Sequence, residues 1–263
     1  MIHPTAVVHP EARLDPSVRV GPCAVIDEHV SLGPDCVVGP HVHLTGHSAI
    51  GARNRFHAGC VIGDSPQDLK YKGDATRLLI GDDNVFREHV TVHRSNKMEE
   101  DTVLGSHNFL MANSHVAHNS RIGSHVILAN GVLLAGHVEI GDRAFLSGNC
   151  LVHQFTRVGT LALLQGGAAA SQDVPPYCLA SGLNGLYGLN SVGLRRAGFD
   201  AEQRLQLQRL YKALFRSGQD LGAALRGARE LFASEPARVM LDFIAASKRG
   251  VCRHAPAQPE VEA

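Results

Sequence analysis

Of the 16 histidines in this chain, several fall where an eighteen-residue spacing would bring them together. His118 and Gln154 are two such intervals apart, and Gly136 lies midway between them. His137 follows Gly136 directly, and His153 precedes Gln154. A fold that advances one layer per interval would stack His118, Gly136-His137 and His153-Gln154 at one edge, with His115 on the approach. An imidazole suits proton transfer near neutral pH. A glycine in such a stack leaves a notch and an accessible backbone N–H, a donor able to stabilise developing negative charge. Imidazoles from adjacent layers could also meet at one ion, but no carboxylate or thiolate supports that metal reading. His89, His107 and His125 share the same spacing. With no gap or loop beside them, they read as a solvated ladder on another edge.

The elements that must position these residues are written in a repeat. Stepping by six from Ile2 to Ile62, then through Ile80, Phe86 and Val92, then from Leu104 to Leu164, gives 25 residues, all apolar. Small or β-branched residues precede many of them by two positions, among them Ala6, Ala12, Val18, Ala24, Cys36 and Cys60. Neither a helical nor a two-residue period produces this, whereas the coils of a parallel β-helix do. Gly105, Gly123, Gly141 and Gly159 recur at every third hexad, so a coil holds three hexads and has three sides. The expected fold is an all-β solenoid, a triangular prism filled by one Leu, Ile or Val from each side. Glycine at its corners tolerates positive φ and close backbone approach.

The repeat breaks near 64–79 and 95–102, which predicts two loops ejected from a prism over 1–176. Loops on rigid scaffolds often carry function. A connector and a C-terminal helical domain are expected over 177–250, with a glycine-rich stretch from Ser181 to Gly193. Asp200 reads as the N-cap of a helix that buries Leu207, Leu210, Tyr211, Leu214 and Phe215 and ends near Gly218. Further helices fit Leu221–Ala233 and Ala237–Lys248, and residues 251–263 read as a disordered tail.

Composition narrows the function classes. Lys+Arg and Asp+Glu both number 25, so the basic excess of a phosphate-neutralising nucleic-acid binder is missing. No apolar run approaches the ~20 residues of a membrane span. The N-terminus lacks a signal-peptide profile, which predicts a cytoplasmic protein. Six cysteines without a Cys-x-x-Cys spacing read as reduced, buried thiols.

The hexads, Gln67-Asp68-Leu69-Lys70-Tyr71, Asn113-Ser114-His115-Val116-Ala117-His118, Leu134-Ala135-Gly136-His137, Val152-His153-Gln154-Phe155 and Gln172-Asp173-Val174-Pro175-Pro176-Tyr177 form a spaced combination. With Arg195-Arg196-Ala197-Gly198-Phe199 and the helical end, it resembles the UDP-N-acetylglucosamine O-acyltransferases that begin lipid A synthesis, over nearly the whole chain. The resemblance implies a left-handed β-helix, although most parallel β-crossovers are right-handed. It also implies a homotrimer with sites between neighbouring prisms. The implied reaction moves a 3-hydroxyacyl chain from acyl carrier protein to the 3-position of the sugar nucleotide, without metal or cofactor. The family's general base matches His118, and its backbone oxyanion donor matches Gly136. Sugar-nucleotide contacts carry over to Asp68, Lys70, His115, His137, His153, Gln154, Asn190 and Arg196. Gly166 matches the position that helps set acyl length.

One departure bears on mechanism. The family usually has Asp directly after its base, and this chain has Asn119. An amide orients an imidazole without the charge that stabilises its protonated form, so Asn119→Asp is expected to raise activity near neutral pH. The implied acceptor is UDP-N-acetylglucosamine or its 3-amino analogue, and rival readings are a related hexapeptide acyltransferase of different acceptor and a weakly active paralogue. A zinc-dependent hexapeptide carbonic anhydrase is a third.

Overall fold

The computed structural model describes residues 1–255. Short strands, most of two residues, stack into three sheets of nine, eight and eleven strands. Pairing between coils is parallel and mostly joins positions three hexads apart, as in His115 to Leu133, Leu133 to Leu151 and Leu151 to Ala169. Along the hexad phase every residue from Val20 onward is buried, and Cys36, Cys60 and Cys150 fill the interior beside them. Each coil leaves backbone groups that only the next coil can satisfy, so the stack itself makes the hydrogen bonds. Ile2 is half-exposed, and Val8 and Leu14 only partly buried, in the first coil.

The glycine ladder has one cause rather than two. Gly105, Gly123, Gly141 and Gly159 have no positive φ; a Cβ on Gly105 would lie 2.7 Å from the Gly123 carbonyl oxygen, and one on Gly141 would lie 2.5 Å from the Thr160 nitrogen. Close approach of the next coil excludes a side chain there. The left-handed turn positions fall instead on His107, His125, Asn119, His137 and Arg143, each with φ between 57° and 61°. Asn is among the side chains that tolerate this conformation best.

Both ejected loops are present. Across the first, the pairing interval lengthens from three hexads to the equivalent of five (Val61 with Thr91), and across the second to four (Thr91 with His115). The second interval also separates the histidine trio. His107 and His125 stack with ring centroids 4.8 Å apart. His89 belongs to another corner: its N–H donates to the Ala58 carbonyl, whereas those of His107 and His125 donate to Asp82 and Ser106.

The stretch expected as a connector is partly sheet. Cys178–Ser181 pairs in parallel with Leu163–Leu164, and Gly185–Leu189 folds back antiparallel onto it. Buried Cys178, Ala180 and Leu186 supply the apolar interior after the hexads lapse. The expected disorder from 251 is likewise corrected. Arg253–His254 adds a parallel strand to Gly185–Leu186, Val251 and Cys252 are buried, and Tyr211 bonds His254 Nδ1 at 2.9 Å. Residues 256–263 lie outside those described.

Four helices follow the hairpin: α1 Ser191–Arg196, α2 Ala201–Phe215, α3 Leu221–Leu231 and α4 Glu235–Ala245. Asp200 caps α2 through a capping box with Gln203, which accounts for its sharp start. Asp173, 1% exposed, ties the helices to the prism. It accepts from Arg157 at 2.7 Å and from Ser247 at 2.8 Å, while Arg157 also donates to the Phe243 carbonyl at 2.9 Å.

Candidate active site

The corner anticipated from spacing exists. Turn pairs 118–119, 136–137 and 154–155 stack over three coils, and their first members line a cleft of about 970 Å³. Asp68 and Lys70 reach this cleft from the first loop, His115 from a strand, and His153 from beside Gln154. Exposed Leu133 and Leu151, with Ala169 one coil further, form an apolar stripe along the same face. The second members look out on the other side of the corner. There His137 stacks on Phe155 at 4.6 Å and approaches Glu100 Oε2 at 3.6 Å.

His118 is only 7% exposed, rather than projecting freely from the corner. Its ring occupies the space a side chain on Gly136 would need, since a Cβ there would be 2.6 Å from His118 Cε1. Gly136 N–H donates to no protein acceptor among the described residues, a property it shares with the first turn residues above and below. What sets Gly136 apart is the missing side chain.

Hydrogen bonds fix the tautomer. Asn119 Oδ1 accepts the backbone N–H of Asn96 at 3.1 Å, which identifies that atom as the oxygen. His118 Nδ1 lies 2.8 Å from the same oxygen and must therefore carry its proton. Nε2 is left as the basic nitrogen. The Asn119 amide donates to Ser95 Oγ at 2.8 Å and to Glu100 Oε2 at 3.0 Å.

The loops hold one another. Asp68 accepts from Asn96 Nδ2 at 2.6 Å and from Lys70 N–H at 2.9 Å; the latter bond leads in drawing its carboxyl below the usual range. Arg94 bonds the Gly63 carbonyl, Ser65 and Tyr71, clamping the base of the first loop. Ser95, Asn96 and Glu100 are site residues that the sequence reading missed. The signal available was Asn119, whose amide needs partners on both sides.

His115 donates to or accepts from Thr91 Oγ1 at 2.7 Å. Burial, helped by His93 and His118, holds its pKa down at about 4. Burial likewise lowers His93 and His137. Unfolded, the His115 imidazole titrates near 6.5, so between that pH and about 4 the unfolded chain binds a proton the folded chain refuses. The stabilising contribution is complete above about pH 6.5 and is lost as pH falls toward 4, on the order of 3 kcal/mol in all. Thermal midpoints from pH 7.5 to 4.5 should fall less steeply for His115→Gln than for wild type. Parallel slopes would mean that this imidazole is not shielded.

Three of the expected residues stand apart within one chain. Gly166 lies on the corner of Gly148, where a Cβ on it would meet only the Gly148 carbonyl oxygen at 3.6 Å. Asn190 caps α1, accepting from Gly193 N–H and donating to the Leu161 carbonyl, both at 2.9 Å. Arg196 is exposed at the end of α1. None of them lines the His118 cleft.

Comparison with known proteins places this arrangement. Residues 101–136 match the family model described as bacterial transferase hexapeptide (six repeats), and 173–252 match Udp N-acetylglucosamine O-acyltransferase, domain 2. The acyl-[acyl-carrier-protein]–UDP-N-acetylglucosamine O-acyltransferase of Syntrophobacter fumaroxidans is 44% identical, covering 96% of this chain and 99% of its own. That of Myxococcus xanthus is 46% identical with the same coverage. The structure of UDP-N-acetylglucosamine acyltransferase from Francisella novicida superposes with a TM-score of 0.93 at 38% identity, over 96% of this chain and 94% of that one. A prism of opposite hand could not superpose so closely, and the fold is a left-handed parallel β-helix with a C-terminal helical part. By full-length sequence and structural likeness, this chain belongs to the UDP-N-acetylglucosamine O-acyltransferase family.

Proposed function

We propose that this chain transfers a 3-hydroxyacyl group from acyl carrier protein to the 3-hydroxyl of UDP-N-acetylglucosamine, with His118 as general base. The observation that carries the reading is the His118 imidazole, its Nδ1 proton committed to Asn119, seated over side-chain-free Gly136 in the cleft. His118 Nε2 takes the proton of the attacking hydroxyl as its oxygen bonds to the thioester carbon. The carbonyl oxygen becomes an oxyanion and accepts the Gly136 N–H. Collapse breaks the carbon–sulfur bond, and the imidazolium returns the proton to the departing thiolate. Lys70 suits the diphosphate as a point charge, with Asp68, His115, His153 and Gln154 around the sugar nucleotide, while His137 faces the other side of the corner and would reach the substrate only from there.

The exposed Leu133–Leu151 stripe is an apolar lane for the acyl chain and favours a covering neighbour. A homotrimer supplies one, and it would bring Asn190, Arg196 and Gly166 of one chain toward the cleft of the next. The cytoplasmic setting follows from the carrier-protein donor and sugar nucleotide of the proposed reaction.

Purified protein incubated with 3-hydroxyacyl carrier-protein thioesters of several lengths should acylate UDP-N-acetylglucosamine. Its 3-amino analogue belongs in the same assay, and exclusive use of that analogue would replace the acceptor. No transfer to either would end the reading. Gly166 leaves room at its corner, so wild type should favour donors of roughly twelve to fourteen carbons, each further buried CH₂ contributing ~0.8 kcal/mol. Gly166→Met should move the preference to shorter chains. An unchanged length profile would remove Gly166 as the ruler.

A further inference from the structure

The Asn119 side chain has no spare hydrogen-bonding capacity. Its oxygen accepts from Asn96 N–H and His118 Nδ1, and its amide nitrogen donates to Ser95 and Glu100. The residue is 6% exposed and sits at a left-handed corner position with φ 57°, so the amide is held from both backbone and side chain. Glu100 itself is fixed by Lys97 Nζ at 3.0 Å, and chiefly that bond keeps it ionised below the usual carboxyl range. A carboxylate on the N–H side of an amide favours the resonance form with more negative charge on oxygen. That oxygen faces the imidazole.

We propose that Glu100 is the positioning residue for the reaction's base, acting through the Asn119 amide to fix the His118 tautomer and to stabilise its imidazolium. The inference rests on the acyl-transfer reading above. In effect a carboxylate stands one hydrogen bond out from the imidazole's partner, on the second loop. On this proposal Asn119→Asp alone does not raise activity, the reverse of the expectation from the sequence. That substitution deletes both amide donors and sets a second carboxylate against Glu100, a like-charge pair.

The titratable groups facing this chain of three are Asp68 from the first loop, Lys97 from the second, His93 and His115 from the strands, and His137 from the next coil. Of these groups, only Glu100 hydrogen-bonds the Asn119 amide nitrogen among the described residues. The test is a set of pH–rate profiles for wild type, Glu100→Gln, Asn119→Asp and the double variant, with His118→Ala as reference. Glu100→Gln should lower kcat about tenfold while leaving KM for the sugar nucleotide within about twofold. Its acid limb should move to lower pH, because an imidazole deprived of nearby negative charge is easier to deprotonate. Asn119→Asp should also be slow. The double variant should recover most of the loss, since its single carboxylate then faces the imidazole without a charged rival.

Unchanged plateau and acid limb in Glu100→Gln, or a double variant no faster than either single, would overturn the relay. A merely structural loop contact would lower thermal stability without moving the acid limb, and that outcome also overturns it. If His118→Ala retains full transfer, the base assignment fails instead, whatever Glu100 does.

Discussion

His118→Ala should reduce acyl transfer by about 10²–10⁴-fold, the usual contribution of a general base to proton removal from a poor nucleophile. The loss should appear in kcat, because a general base acts on the hydroxyl proton only after substrate is bound. The ring is buried against Gly136 and stands edge-on to His137 at 5.3 Å, so the substitution leaves a small polar notch. His118→Gln fills more of that notch without a basic nitrogen and should be similarly impaired. Steady-state transfer assays with circular dichroism as a folding control decide the matter. Retention of more than about a tenth of the wild-type rate in folded variants would assign the proton to another group.

Gly136→Ala is expected to be nearly as damaging, through geometry. The new Cβ would stand 2.6 Å from His118 Cε1 and 2.7 Å from Nε2, well inside contact distance. The imidazole must then swing away, stretching its 2.8 Å bond to Asn119 and moving Nε2. The same methyl crowds the backbone donor. Displacement of a reacting group by about 1 Å can cost 10²-fold, and a lost oxyanion donor costs about 10²–10³-fold, so a fall in kcat of at least about 10²-fold is expected. Gly136 does not have positive φ, so the backbone accepts alanine without conformational strain. Any loss of thermal stability should therefore come from displacing the buried ring, not from the backbone. A variant with a normal rate would show that the ring is free to move and that this N–H is not the donor.

The prism and the site corner were legible because both are periodic. Inward residues repeat every six positions, and one corner gathers His118, Gly136 and Gln154 because coils repeat every three hexads. Where contacts are not periodic, the sequence was silent. Nothing in the spacing of Ser95, Asn96 and Glu100 says that they converge on Asn119, because loop residues lie off the coil. The Cys178–Leu189 hairpin was obscured by its glycines, and the final strand by its two-residue length. Asp200 was readable as a cap because its capping box is local. The short helix α1 is capped by Asn190 amid Gly- and Ser-containing sequence that reads as a turn.

The two loops lengthen their coils by two hexads and by one, together the length of one whole turn. They behave like compensating frameshifts. Upstream of the first loop and downstream of the second, positions separated by whole multiples of three hexads lie on the same face: Val37, Arg55 and Phe109 share one ladder through Val85. Only the stretch between the loops is out of frame, and His89 lies in it. Excising both insertions would leave one eighteen-residue numbering throughout, whereas excising one would offset the numbering on its two sides; neither would move a residue to another face. The loops that carry Asp68 and Glu100 are thus cassettes spliced into a scaffold whose numbering closes without them.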